Sequence, residues 1–170
     1  RALERNPYFP EAINARAALR YYRKDLDGAL ADFGLMTKYM PERPEGWTNR
    51  GEILRAQGKH AEALAEFARA LEIDPAYGVA LNSRAITWLA LGEEEKAFAD
   101  LSLCIEKNPY YANPLYNRAK QWLKRGRPDK AIEDWEAVLK IEPNSPGNDE
   151  VRAKNLPAWR EWFTANIVKK

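Results

Sequence analysis

PEGWTNRGEILRAQGKHAEALAEFARALEIDPAY, residues 44–77, decides the fold. The spacing predicts two helices, about 44–57 and 61–73, with Gly58 at the turn and Pro75 beyond the second. Glycine adopts the left-handed backbone of such a turn without strain, and the residue before proline avoids helical geometry. On both sides of this stretch the same marks recur at a fixed step. Pro7, Pro41, Pro75, Pro109 and Pro143 are each 34 residues apart, as are Arg16, Arg50, Arg84, Arg118 and Arg152. A small residue follows every one of these arginines: Ala17, Gly51, Ala85, Ala119 and Ala153. Ala29, Ala63, Ala97 and Ala131 keep the step, followed four positions on by Phe33, Phe67, Leu101 and Trp135. No insertion breaks the register.

The 34-residue period resembles that of the tetratricopeptide repeat, and so do the residues Trp47, Gly51, Leu54, Ala63, Phe67 and Pro75. Arginine stands where that pattern has leucine, in every repeat. The resemblance implies an all-α, right-handed α-solenoid of stacked antiparallel helix pairs. Its repeats run 10–43, 44–77, 78–111 and 112–145. Arg1-Ala2-Leu3-Glu4 duplicates Arg69-Ala70-Leu71-Glu72, so 1–9 is expected to end the second helix of a preceding partial repeat. Residues 146–170 are expected to form a partial repeat, interrupted at Pro157, and a capping helix over about 158–168. Trp159, Trp162, Phe163 and Ile167 give that helix one apolar face. Its polar face is not basic enough to favour a membrane surface. One repeat alone leaves an apolar face bare, so stacking must supply the stability.

Composition removes several functions. Lys+Arg 27 against Asp+Glu 25 gives a net charge of +2, which argues against a nucleic-acid surface and makes an RNA-binding helical repeat a poor alternative. One cysteine, Cys104, excludes an internal disulfide and reads as a small core residue. With His60 alone, neither a histidine metal site nor a serine–histidine nucleophile is easily built, and His60 reads as a surface residue. No apolar run reaches the about 18 residues of a membrane span. Asp25-Leu26-Asp27-Gly28 opens like a calcium loop but lacks its later ligands, and sits where aspartate caps a helix. Lys124, Arg125 and Arg127 lie around a turn and read as solvated rather than as a phosphate site. No metal and no cofactor are expected. A soluble, cytoplasmic setting is favoured, with a periplasmic or secreted one open if an upstream signal was removed.

Asp32, Glu66, Asp100 and Asp134 lie sixteen residues after Arg16, Arg50, Arg84 and Arg118, so each repeat is expected to hold one arginine–acid ion pair. These acids would neutralise a row of arginines otherwise suited to phosphate. In tetratricopeptide arrays the first helices of the repeats line the groove that holds the ligand. Here the resemblance places Asn14, Ala18, Tyr21, Asn49, Glu52, Arg55, Asn82, Ser83, Ile86, Tyr116, Asn117 and Lys120 there. Amides both donate and accept and can hold peptide backbone of any sequence, and tyrosines add apolar area at low entropic cost. With Asn49 as anchor, Val79 and Ser83 stand where the family's two-carboxylate clamp needs cations, so an acidic chaperone tail is not expected. The function implied is a non-catalytic protein-interaction module holding a peptide or partner protein, with self-association open. The alternative is the regulatory or substrate-recruiting segment of a longer enzyme.

Overall fold

Proline begins helices here as well as following them. In a computed structural model, residues 10–143 are described, together with Ser145, Asn148, Pro157, Arg160 and Glu161. Helix α1 spans Pro10–Tyr22, α2 Leu26–Tyr39, α3 Pro44–Ala56, α4 His60–Ile73, α5 Gly78–Ala90, α6 Glu94–Lys107, α7 Ala112–Lys124 and α8 Pro128–Ile141. No strand occurs among the described residues. Pro10, Pro44 and Pro128 are first residues of helices, where the missing amide hydrogen would have had no intrahelical partner. Pro41, Pro75, Pro109 and Pro143 lie just past the ends of α2, α4, α6 and α8.

The tight turns inside the pairs use the left-handed region. Gly58, Gly92 and Gly126 have φ of 77°, 78° and 66°. Lys24, one period before Gly58, takes φ 65° without being glycine. Asp25 then caps α2, its Oδ1 accepting from the Gly28 amide at 2.9 Å. The Oδ1 of Asp27 accepts from Gln57 Nε2 at 2.9 Å. Both carboxylates of the would-be calcium loop therefore have local work.

The chain divides into two compact units, 1–93 and 94–170. In the first, α1 packs on α2, α2 on α3, α3 on α4 and α4 on α5, and α3 also meets α5. In the second, α6 packs on α7 and α7 on α8. Each sequential pair is antiparallel, because a turn of only a few residues joins its members. The recurrent small residues set how closely they approach. A methyl group built on Gly51 of α3 would come within 2.5 Å of the Phe67 ring on α4. Ala17, Ala29 and Phe33 fill one core with Ile13, Met36 and Ile53; Ala119, Ala131 and Trp135 fill the equivalent space in the second unit. Cys104 is buried on α6. Each large side chain so buried is worth roughly 1.5–3 kcal/mol.

The leading segment 1–9, the partial repeat over 146–156 apart from Asn148, and most of the expected helix over 158–168 lie outside the described residues. Of the last, Arg160 is ion-paired with Glu136 on α8.

Candidate ligand groove

Three arginines of the recurrent column, Arg16, Arg50 and Arg118, are held by the acids sixteen residues on. Arg16 Nε lies 3.0 Å from both carboxylate oxygens of Asp32, and Arg20 Nη1 is 2.7 Å from Asp32 Oδ1. Arg20 also donates to the Gly28 carbonyl at 2.9 Å. Asp32 is only 1% exposed, so it is a buried anion held by two partly exposed cations. The hydrogen bond to Asp32 raises the Arg16 pKa above its already high value. In the second repeat Arg50 Nη2 lies 3.2 Å from Glu66 Oε1. Burial pushes the Glu66 carboxyl above the usual carboxylate range; Arg50 and Arg69 oppose the shift and Glu62 adds to it. Arg118 forms a forked pair with Asp134, Nε to Oδ2 at 2.9 Å and Nη2 to Oδ1 at 2.7 Å. Arg84 and Asp100 fall one in each unit.

The basic turn is also neutralised. Lys124 pairs with Glu94 at 3.2 Å, Arg125 with Glu95 at 2.7 Å, Arg127 with Asp129 at 2.7 Å and Lys130 with Glu133 at 2.8 Å. A phosphate would have to displace a carboxylate from each. His60 differs from its reading as a surface residue: it starts α4 half-buried, with Nδ1 buried and unpartnered among the described residues. No group of three His, Cys, Asp or Glu among the described residues is placed to hold a metal ion.

Of the first helices, α1, α3 and α5 belong to the first unit and α7 to the second. In the first unit, a cavity of about 210 Å³ opens between α1 and α3. Ala17, Phe33 and Ile53 give it apolar walls, and Ala18, Tyr21, Asn49 and Glu52 complete the lining. Tyr21 is 48% exposed, so the space is reached from outside. Asn49 donates through Nδ2 to Asn14 Oδ1 at 3.4 Å, long for an amide bond. Arg55 Nη2 meets Glu52 Oε2 at 2.5 Å. In the second unit Tyr116, Asn117 and Lys120 share α7, with the Lys120 ammonium 4.2 Å above the Tyr116 ring.

Two expected groove residues have little surface to offer. Asn82 is 6% exposed and Ser83 5%. Both are short polar residues on α5, and their size lets neighbouring atoms close over them. Ile86 is half-buried. In the other direction, sequence reasoning assigns Phe33 and Ala17 wholly to packing, whereas both also wall the cavity. The legible signal is the small pair Ala17 and Ala18 on α1, which share the lining with Asn49, Glu52 and Ile53.

A sequence model of the tetratricopeptide repeat matches residues 44–77 and 112–145. No curated protein matches the chain by sequence. Solved structures do match it in shape. TTC0263, a thermophilic tetratricopeptide-repeat protein of Thermus thermophilus, is 21% identical, with a TM-score of 0.74 over 98% of this chain and 86% of that one. The first repeat domain of Spaghetti (RPAP3), bound to the HSP90 peptide SRMEEVD, is 22% identical, with a TM-score of 0.62 over 72% of this chain and 94% of that one. YrrB, a tetratricopeptide-repeat protein with an unusual peptide-binding site, is 19% identical, with a TM-score of 0.61 over 84% of this chain and 74% of that one. At these identities the likeness is one of fold.

Proposed function

We propose that this chain, which belongs to the tetratricopeptide-repeat family through its repeats at 44–77 and 112–145, is a non-catalytic module that binds an extended peptide along its first helices. The observation that carries this reading is the open cavity between α1 and α3, where Asn49 and Tyr21 stand above Phe33 and Ile53. An apolar recess beside an amide suits a peptide, which presents side chains and backbone in alternation. Two of the structures similar in fold are described as peptide-binding, which supports the class of ligand though not its identity. Arg16, Arg50 and Arg118 are not counted toward recognition, because Asp32, Glu66 and Asp134 hold them. No helix among the described residues is long and apolar enough to cross a membrane.

The test is affinity capture of partners, followed by direct binding measurements on the captured protein. A Tyr21→Ala/Asn49→Ala variant is expected to lose most of the affinity while keeping the helical circular-dichroism spectrum. Equal binding by the variant and the unaltered chain would move the site off this face.

A further inference from the structure

We propose that Ala15, Leu19 and Tyr22 of α1 form a self-association surface, which docks on the same stripe of a second copy of this chain as an antiparallel helix pair. The inference goes beyond peptide binding, because none of the three lines the recess between α1 and α3. They stand at i, i+4 and i+7, so they share one face of the helix, and all three are exposed. A contiguous apolar stripe in water marks an interaction surface. In the following repeats the central column of this stripe is an interface. Leu19 is 59% exposed, whereas its counterparts Ile53 and Thr87 are 4% and 0% exposed. Ile53 packs against Phe33 and Met36 of the second helix that precedes it. The face through which α3 meets an antiparallel neighbour is thus open on α1.

The distribution of apolar surface says what can cover it. Among the described residues, the other exposed large apolar side chains are Tyr21 on α1 and five that fall one to an element: Tyr39, Ile73, Val79, Leu91 and Tyr110. The last described second helix, α8, exposes none, and its Trp135 and Val138, which hold the columns of Phe33 and Met36, are buried. A head-to-tail stack of copies therefore finds no apolar face on α8 to continue on. The match for the stripe in a second copy is the stripe itself, which gives a closed two-fold contact. Antiparallel pairing centred just before Leu19 sets Ala15 against the other copy's Tyr22, so that a ring enters the space an alanine leaves at each end of the seam. The two Leu19 side chains meet at its middle. Charge favours the same orientation. Of the charged groups on α1 and its turn, Arg16 and Arg20 are held by Asp32, and Asp25 caps α2 and lies 3.8 Å from Arg20. Glu11 at the start of the helix and Arg23 and Lys24 at its end stay exposed. Antiparallel pairing brings Glu11 of each copy toward Arg23 and Lys24 of the other, whereas parallel pairing sets like charges together.

One helix face per copy is a small contact, so the pair is expected to be weak, with a Kd on the order of 10–100 µM. The experiment is sedimentation equilibrium of the full chain from about 5 µM to about 500 µM, a range that brackets such a Kd. A monomer–dimer equilibrium is expected. Leu19→Glu is expected to weaken it about tenfold or more, and Tyr22→Ala several-fold. Both side chains are exposed, so the circular-dichroism spectra of the dilute variants are expected to match that of the unaltered chain. Leu19→Cys is expected to yield a covalent dimer with a short thiol-reactive cross-linker, and Leu91→Cys, exposed on a different element, to yield none. Cys104 is buried, and the unaltered chain gives its background. A monomer at every concentration, a dimer that Leu19→Glu leaves intact, or species that keep growing with concentration overturns the inference. A monomer in which Leu19→Cys resists a small thiol reagent also overturns it, and assigns the stripe to another segment of the same chain. None of these outcomes bears on the peptide recess.

Discussion

Lys24 is the residue most at odds with its backbone. Its counterparts one, two and three periods on are Gly58, Gly92 and Gly126, all at positive φ, and Lys24 adopts φ 65° in their company. A side chain in the left-handed region costs roughly 1–2 kcal/mol. The larger entropy of glycine in the unfolded chain offsets part of the gain from replacing it. Lys24→Gly should therefore stabilise the chain by about 0.5–1 kcal/mol in urea titration. Gly51 is the opposite case. Gly51→Ala gains about 0.8–1 kcal/mol of helix propensity, but its methyl would sit 2.5 Å from Phe67 Cε1, and overpacking costs about 1–3 kcal/mol. A net loss is expected, relieved in Gly51→Ala/Phe67→Leu because leucine is the residue at Leu101 in that column. The Asp32 cluster gives an asymmetric prediction. Asp32→Asn leaves two arginines whose side chains are 39% and 35% exposed and can turn to water, a cost of about 1–2 kcal/mol. Arg16→Ala/Arg20→Ala strands a buried carboxylate and should cost more, about 3–5 kcal/mol. Equal losses in the two variants would mean that Asp32 is hydrated when its cations are removed.

Among the helices, the sequence was legible wherever one residue type alone can do a job. Proline at a helix boundary, glycine at three of the four left-handed turns and alanine at a close contact each leave a mark, and the helix bounds follow from them. Arg16, Arg50 and Arg118 were legible for a related reason: a charge repeated sixteen residues before an acid must face it across a helix pair of fixed length. The candidate site was less legible, because it depends on what a neighbour fails to fill. Asn14, Asn49 and Asn82 look alike in the sequence, yet Asn49 lines a cavity, Asn14 accepts its bond and Asn82 is buried. The difference lies in side-chain volumes on adjacent helices, which a column pattern does not sum. The link between successive pairs shows the same limit. Gln57 donates to Asp27 and, two periods on, Arg125 to Glu95. The intervening positions are Ala61 and Leu91, so the column reads as irregular although two of its three members do the same work.

For the molecule as a whole, stability in a repeat array is a sum of local terms, so one residue's titration carries directly into the total. Glu66 is the group to watch. Burial raises its folded pKa above the reference of 4.5, while the unfolded chain returns it to the ordinary value. Between those two values the folded state binds more protons than the unfolded one, so stability falls as pH rises through that interval. Below the unfolded value both states are protonated and the contribution is fully present. Above the folded value it is gone, and Arg50 at 3.2 Å offsets only part of the cost of the buried anion. Glu66→Gln removes the titration and keeps the shape. The variant is therefore expected to gain stability relative to the unaltered chain as pH rises from the reference value of 4.5 through the raised folded value, measured by urea titration at each pH. A relative loss over the same range would mean that Arg50 and Arg69 outweigh burial and that the carboxylate is the favoured form.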